Sequence, residues 1–554
     1  MSEKTGAEKI RWNLTDLYKN LSDPKLDQDL KKTQTKANQF QKKYKGKVSK
    51  LKEAEIKKAY QTIEELLLTS YKISQFISLI FTIDTSCEKA KQWMSKIKQT
   101  SQELSNTLLF FDLELGKLSP TQSKKLLQSS LIKNYHYTID HTIKTAQYDL
   151  EEKEEQMINL KDITGKSAFE QLYEELTASF EYKFKVDGKT QTMNGSQLRA
   201  LRQHKDPKVR KEAMALFFKK YEDNQIVLTH IFNNIIKDHN IERKKRGYKS
   251  PMCPKQISQD LNPKTIKILH EVTTESYPLI HRYYKIKQKL LGLKETTLSD
   301  IYAPLKKSDQ NHTWAAAKKT VLDSFKTFDQ EFYQYAKEMF DEKRIDAALG
   351  QKKRGGAFCS GYTPDVKPYV MVNFLGRNRD VSTLAHELGH AIHDRYSAIQ
   401  TLVNFHPILP LAETASVFCE MIVTDKLKRE ATTKDQKIAL LTDKLEDMFA
   451  TSHRQNMFSR FEQQTHEIIT SEIMSTKQLC DLYTKELKLM FGKSVKILPE
   501  YQWEWSAIPH IYESPFYVYA YNFGNLLVIA LYQQYLKEGQ SFIRNTFIKR
   551  LNNL

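Results

Sequence analysis

A chain of 554 residues is long enough to build more than one hydrophobic core, or one large helical assembly. Its 40% apolar and 11% aromatic residues exclude a disordered polymer, and 5 cysteines (Cys87, Cys253, Cys359, Cys419, Cys480) far apart with no CxxC pair exclude a disulfide scaffold and indicate free thiols in a reducing compartment. The formal charge of +19 is spread along amphipathic stretches such as Lys31-Lys32 and Lys42-Lys43, with no basic tail and no nucleic-acid motif, so it reads as a solvated lysine-rich surface, and neither nucleic acid nor membrane is an expected partner.

The opening Met1-Ser2-Glu3-Lys4 is polar and no apolar signal core follows it. The most apolar runs, residues 76–81 and 526–529, fall short of the ~20 residues a membrane span needs. A soluble cytoplasmic protein is expected. From residue 10 to about 132 the pattern predicts helices, opened by Trp12-Asn13-Leu14-Thr15-Asp16-Leu17-Tyr18; within 55–85 and 88–117 apolar residues recur at helical spacing, as at Leu104 and Leu108. Ser119-Pro120 ends one helix and starts the next, and residues 135–142 read as a connection. Glu151-Glu152-Lys153-Glu154-Glu155 leads into a helix, and another covers 168–176.

The period then changes from helical to alternating. Tyr182, Phe184 and Val186 alternate with Glu181, Lys183 and Lys185 and run into Asp187-Gly188, which predicts a β-hairpin with a type I′ turn. Helices resume near Ser196 and run to about Leu291, with a break at 248–251; residues 298–303 read as a strand, and Thr313 caps a helix over 314–343. Arg354-Gly355-Gly356-Ala357-Phe358-Cys359, a turn at Thr363-Pro364-Asp365, and the β-rich residues 368–374 predict a strand pair. An edge of such a pair can hydrogen-bond an extended peptide; otherwise it is an ordinary internal hairpin.

The sharpest pattern is Thr383-Leu384-Ala385-His386-Glu387-Leu388-Gly389-His390-Ala391-Ile392-His393, which contains His-Glu-x-x-His. On a helix capped by Asp380, His386 and His390 leave one face a turn apart and can share a zinc ion, with Glu387 placed to take a proton from water. His393 lies two turns from His386, about 10 Å in rise, so one straight helix cannot bring all three rings to one ion; it is set aside as a ligand. Glu413, in the apolar helical stretch 411–420, is the better third ligand and leaves a fourth position open to water. Glu420, seven residues on, is suited to accept a ring N–H from a liganding histidine. Residues 501–523 hold five tyrosines and His510. If the part after Pro515 is helical, Tyr517 and Tyr521 share a face and Tyr519 points elsewhere, so phenol hydroxyls become candidate oxyanion donors, against the alternative of an aromatic core helix.

Taken together, residues 12–18, the charged segment through Gly165 and Leu172-Tyr173, residues 354–359, the His386–His390 stretch, Glu413 through Glu420, and His510 through Tyr521 resemble oligoendopeptidase F, of the thimet oligopeptidase family of zinc metallopeptidases. The resemblance implies a mostly α, two-lobed fold with a deep substrate channel and a small β-sheet beside the zinc helix. It implies one zinc per chain on His386, His390 and Glu413, with Glu387 as general base, and His510 with two among Tyr517, Tyr519 and Tyr521 in catalysis, of which the shared face favours Tyr517 and Tyr521. Tyr519, Gly356 and Ala357 become substrate contacts. It divides the chain into an N-terminal helical region (1–110), a lobe segment (111–195) and a catalytic domain (196–554). Family members usually continue past 542–554 with more helix, so a shortened C-terminus is expected. The implied activity is cleavage of internal bonds in short unstructured peptides by a monomer or small homo-oligomer. A related zinc carboxypeptidase and an inactive peptide-binding scaffold are the alternatives.

Overall fold

Many helices start where local chemistry says they should. Asp23 caps Pro24–Tyr44, Ser119 caps Pro120–Gln128, Asp206 caps Pro207–Asp223 and Asn262 caps Pro263–Glu275, each with a side-chain oxygen accepting a first-turn N–H and proline opening the helix. The computed structural model describes residues 5–305 and 312–551 and is mostly helical, with two small sheets. Residues 1–4 and 552–554, which carry the polar start and the end of the expected short C-terminus, lie outside the described residues.

In the first sheet β1 (Glu181–Val186) and β2 (Lys189–Asn194) pair antiparallel. Asp187 (φ 48°) and Gly188 (φ 81°) both take the left-handed backbone that the expected type I′ turn requires. The second sheet contains β3 (Ile345–Asp346), β4 (Phe358–Ser360) and β5 (Tyr369–Met371) in the order β3-β5-β4, with β5 antiparallel to β4 and parallel to β3. The expected strand pair is present; β3 is too short to leave an alternating pattern.

Elsewhere tertiary context overrides periodicity. Residues 10–23 are turns rather than helix, because Trp12 packs its ring against Tyr369 (6.2 Å) and Phe358 (6.5 Å) of the second sheet. The helix expected over 314–343 is two, Trp314–Phe328 and Gln330–Asp341: Asp329 is extended (φ −157°, ψ 145°) and its carboxylate accepts from the N–H of Glu331 (2.8 Å), capping the second. Residues 298–303 hold the 3₁₀ turn Leu298–Asp300 and not a strand, with Asp300 ion-paired to buried Arg210 (2.6 Å). The expected connection at 135–142 is largely the helix His136–Thr145.

The chain divides into two compact units built from non-consecutive segments. The first holds Met1–Asn159, Asp309–Glu430 and Val528–Leu554, and the second holds Leu160–Ser308 and Ala431–Leu527. In the first unit Tyr60, Phe110, Phe111 and Tyr135 centre one core, and Trp12, Phe76, Trp93 and Tyr369 another. Helix Glu53–Ile83 is long and apolar enough by length and composition to cross a membrane, contrary to the expectation from single runs, yet its Ile56, Tyr60, Ile73 and Phe76 pack into those cores. The second unit has one large core that includes Tyr182, Phe217, Phe232, Tyr284, Phe461, Tyr483 and Trp505.

A buried charge pair anchors the second sheet. Lys353 Nζ donates to Asp346 Oδ1 (2.7 Å) and to the carbonyls of Ala348 (2.9 Å) and Val372 (2.9 Å), with both side chains of the pair wholly buried. Arg11 reaches the same Asp346 oxygen (2.9 Å). Burial pulls the Lys353 ammonium down and Asp346 opposes it. Lys353→Met leaves Asp346 short of a partner and unbonds those carbonyls, so urea unfolding should show a loss of about 3 kcal/mol.

The second unit also holds neutral histidines, His270 buried and His453 partly so. His270 Nε2 lies 3.0 Å from Ser459 Oγ, and His453 Nε2 lies 2.9 Å from Ser276 Oγ. Burial pushes both rings from 6.5 down to about 4. With the folded pKa below the unfolded one, the unfolded chain binds more protons between those values, so the stability these rings contribute is present above about pH 6.5 and lost as pH falls towards 4. The urea midpoint of this unit should be lower at about pH 5 than at about pH 7, and replacing both histidines by glutamine should flatten that difference.

Candidate functional site

The His-Glu-x-x-His motif lies on helix Asn378–Ser397 in the first unit. The helix is held by its fully buried face of Leu384, Ala385, Leu388, Ala391 and Ile392. Its N-cap is Arg377 rather than Asp380, which sits one turn further in; there its carboxylate accepts from the N–H of Arg377 (3.0 Å) and Leu375 (2.9 Å). His386 and His390 share a face, with ring centroids 5.0 Å apart.

This helix packs on helix Thr414–Glu430 at Gly389. A Cβ on Gly389 would meet Ser416 Cα at 2.6 Å and the Ala415 carbonyl oxygen at 2.7 Å, so the approach needs glycine. Glu413 is not inside a helix as expected but in the turn between Leu409–Ala412 and Thr414–Glu430. From that turn its carboxylate faces both histidines, and Ser416 Oγ donates to Oε2 (2.8 Å). Glu413 Oε2 is 3.3 Å from His386 Nε2 and 3.4 Å from His390 Nε2. Glu420 Oε2 lies 3.4 Å from His386 Nδ1, across the ring from Glu413.

The electrostatics follow from these contacts. Burial alone would push the His386 imidazole down, but Glu413 and Glu420 outweigh it and hold its pKa well above the ordinary value. His390 is raised against burial by Glu413, and Glu413, despite its burial, is held well below the carboxylate range by the two rings. Burial raises Glu387, opposed by both histidines and, less strongly, by the backbone of Cys359 on β4, one of the sheet's two outer strands. The Cys359 thiol is pushed well up by burial and by Asp394 and Glu387, so it is not a poised thiolate.

Do the residues fit a metal ion? Among the described residues His386, His390 and Glu413 form the one group whose ligand atoms all lie within 4.8 Å of one another. Donors about 2.0–2.1 Å from an ion in tetrahedral array are spaced about 3.4 Å apart. Both histidine–Glu413 distances match that edge. His393 lies outside the group: it is 2% exposed, its Nε2 has no hydrogen-bond partner, and burial pulls its pKa to about 4. Gly356 (φ 82°) and Ala357 lead into β4, where the Gly356 carbonyl accepts from Asn373 Nδ2 (2.9 Å).

His510, Tyr517 and Tyr521 come together in the second unit. The helix expected after Pro515 begins only at Tyr519, so Tyr517 precedes it and the shared-face argument does not apply. The rings nevertheless gather: Tyr517 and Tyr521 are 5.3 Å apart, Tyr517 stacks on His510 at 5.7 Å, and His510 Nε2 is 3.2 Å from Tyr521 Oη. Tyr519 is wholly buried with an unpartnered hydroxyl, so its side chain points into the interior and not towards this cluster's surface. Glu462 is the residue that periodicity missed. Phe516 adopts a left-handed backbone (φ 55°), and its N–H donates to Glu462 Oε1 at 2.6 Å, pinning the turn just before Tyr517. Burial pushes Glu462 up to about 8. A carboxylate one residue after buried Phe461 and four after buried Phe458 was the available signal.

The sequence profile of Peptidase family M3 matches residues 200–550, and that of Oligopeptidase F matches residues 114–182. The chain is 28% identical over 528 residues to the chromosomal oligoendopeptidase F of Lactococcus lactis subsp. cremoris, covering 93% of this chain and 86% of that protein. It is 27% identical over 555 residues to an oligoendopeptidase F homolog of Borreliella burgdorferi, covering 98% and 91%. The crystal structure of oligoendopeptidase-F from Enterococcus faecium superposes with a TM-score of 0.71 at 20% identity, over 96% of this chain and 89% of that one, so the fold is shared.

Because Gly389 sets the helix spacing that brings Glu413 to the histidines, Gly389→Ala should lower stability by about 1–3 kcal/mol. With zinc used as a probe of the His386–His390–Glu413 group in a competition titration against a coloured chelator, the variant should also take up metal more weakly, whereas a change of the same size at an exposed helical position should leave uptake unaltered.

Proposed function

Since the chain belongs to peptidase family M3, we propose that it is a zinc-dependent endopeptidase that hydrolyses internal bonds of short unstructured peptides. One observation carries the reading: two imidazole nitrogens each stand at the edge length of a tetrahedral ligand set from one carboxylate oxygen, all three within 4.8 Å of one another, beside a buried glutamate. The chemistry a zinc ion supplies in such a set is Lewis acidity, which polarises a carbonyl and lowers the pKa of water towards ~7. Glu387, raised by burial, accepts the proton of the attacking water and passes it to the leaving amine. Glu420 and Ser416 hold His386 and Glu413 in orientation. The outer strand β4 offers main-chain groups to an extended substrate, with Gly356 and Ala357 at its start. His510, Tyr517 and Tyr521 bind substrate and donate to the oxyanion. The same reading takes the protein as cytoplasmic, acting as a monomer or small homo-oligomer.

Glu387→Gln should keep its zinc and lose about 10²–10⁴-fold in kcat; near-wild-type turnover would remove Glu387 from the base role. Glu413→Ala should lose zinc on dialysis, measured by atomic emission, and unchanged zinc content would send the third ligand elsewhere. A quenched fluorogenic peptide blocked at both ends should be cut internally; cleavage only of unblocked peptides from the C-terminus would favour a carboxypeptidase.

A further inference from the structure

Four non-glycine residues among those described take a positive φ: Asp187, Asp260, Lys343 and Phe516. The first three are polar and exposed, whereas Phe516 is aromatic and 1% exposed. A left-handed backbone is unfavourable for a side chain of that size, so it persists only where the surroundings impose it, and such residues gather at functional sites. The surroundings that impose it on Phe516 belong to the second unit. Its N–H donates to Glu462 Oε1 at 2.6 Å, and its ring is held against His466 at 4.4 Å and His239 at 5.7 Å. His239 is fixed in turn, with Nε2 2.7 Å from the Pro251 carbonyl oxygen.

Glu462 and His466 lie one turn apart on helix Arg454–Ile468, and both are 0% exposed. Glu462 Oε2 and both ring nitrogens of His466 have no hydrogen-bond partner. Buried polar atoms without partners are costly, and apolar side chains would fill this space without that cost. What the glutamate provides, and an apolar residue could not, is an acceptor for the Phe516 N–H. Burial pushes Glu462 up to about 8, against the Phe516 N–H and Lys255, so near neutral pH it is mostly the uncharged acid, and a carboxamide would present the same acceptor. The bond acts one residue before Tyr517. The Tyr517 ring stacks on His510 at 5.7 Å, lies 5.3 Å from Tyr521, and has Lys255 Nζ 5.9 Å from its centre.

We propose that Glu462 is a positioning residue for peptide hydrolysis: by holding Phe516 in its left-handed conformation it places Tyr517 on His510 and so sets the cluster that donates to the oxyanion. Wholly buried, Glu462 touches no substrate and acts only through the Phe516 backbone. The inference rests on the peptidase reading for the reaction it serves.

The test reads both turnover and the cluster itself. Glu462→Met removes the acceptor and keeps the volume; it should retain its zinc and lose about 10²-fold in kcat on a quenched fluorogenic peptide, with KM changed by less than about threefold. Glu462→Gln keeps the acceptor and should stay within about threefold of the unaltered protein in both. With histidine labelled at ¹³Cε1, and His510→Gln identifying the His510 signal by its loss, that signal should move in Glu462→Met and stay in place in Glu462→Gln. In the unaltered protein the Phe516 amide should exchange with deuterium on the slow timescale of buried helical amides. Rapid exchange there overturns the proposal and needs no variant. An unmoved His510 signal or an unchanged kcat in Glu462→Met, shown by its melting curve to be folded, also overturns it. So does a Glu462→Gln variant that falls as far as Glu462→Met. Should the unaltered protein cut no peptide, the proposed function fails, while the His510 signal still decides whether Glu462 sets the cluster.

Discussion

The candidate metal centre depends on how closely helix Asn378–Ser397 can lie against helix Thr414–Glu430. Glycine at 389 lets backbone meet backbone where any side chain would collide with Ser416 and Ala415. That contact sets the distance between the face bearing His386 and His390 and the turn bearing Glu413. The turn matters as much as the contact. A glutamate one residue later would start the helix and point elsewhere, whereas Glu413 at the junction is free to aim its carboxylate at both rings while Ser416 holds one oxygen. Glu420 then acts on the far side of His386, so the ring is fixed between two carboxylates instead of swinging on one.

The neighbouring sheet is organised by charge rather than by hydrophobic pattern. Its strands are only two or three residues long and could not define a register alone. Lys353 compensates by gathering Asp346, Ala348 and Val372 around one ammonium, which ties the glycine-rich segment before β4 to the strands beyond it. Strand β4 is thereby placed where the Cys359 backbone helps to hold the pKa of Glu387 down against burial. A structural ion pair and a candidate catalytic carboxylate are linked through a few residues of backbone.

In the second unit the same economy recurs with different parts. A left-handed Phe516 would be unfavourable unaided, and a buried glutamate makes it the stable conformation by accepting its N–H. The next residue, Tyr517, is delivered onto His510, and the helix that follows brings Tyr521 to the same ring. The cavity that His510 also lines holds Arg199 and Arg202, each over an aromatic ring, and the unpartnered side-chain oxygen of Gln455. Other polar groups in this unit find their partners within the fold, as in the ion pairs Arg210–Asp300 and Arg454–Glu504.

By itself the sequence determined what is local. Four-residue spacing put His386 and His390 on one helical face, Asp187-Gly188 specified a type I′ turn, and capping residues marked helix starts, because each of these depends on a few neighbouring residues and on backbone sterics. It also nominated Glu413 and Glu420, since carboxylates among apolar neighbours demand partners. Tertiary structure alone decided the rest. Periodicity could not show that Asp329 breaks a helix, that Trp12 is drawn into turns by Tyr369, that Tyr517 precedes the last long helix, or that Tyr519 is spent in the interior. Nor could it show Glu462 beneath Phe516, or arginines from residues 199–202 sharing a cavity with residue 510. Those outcomes turn on contacts between residues far apart in the chain, where burial and hydrogen-bond satisfaction outweigh any local preference.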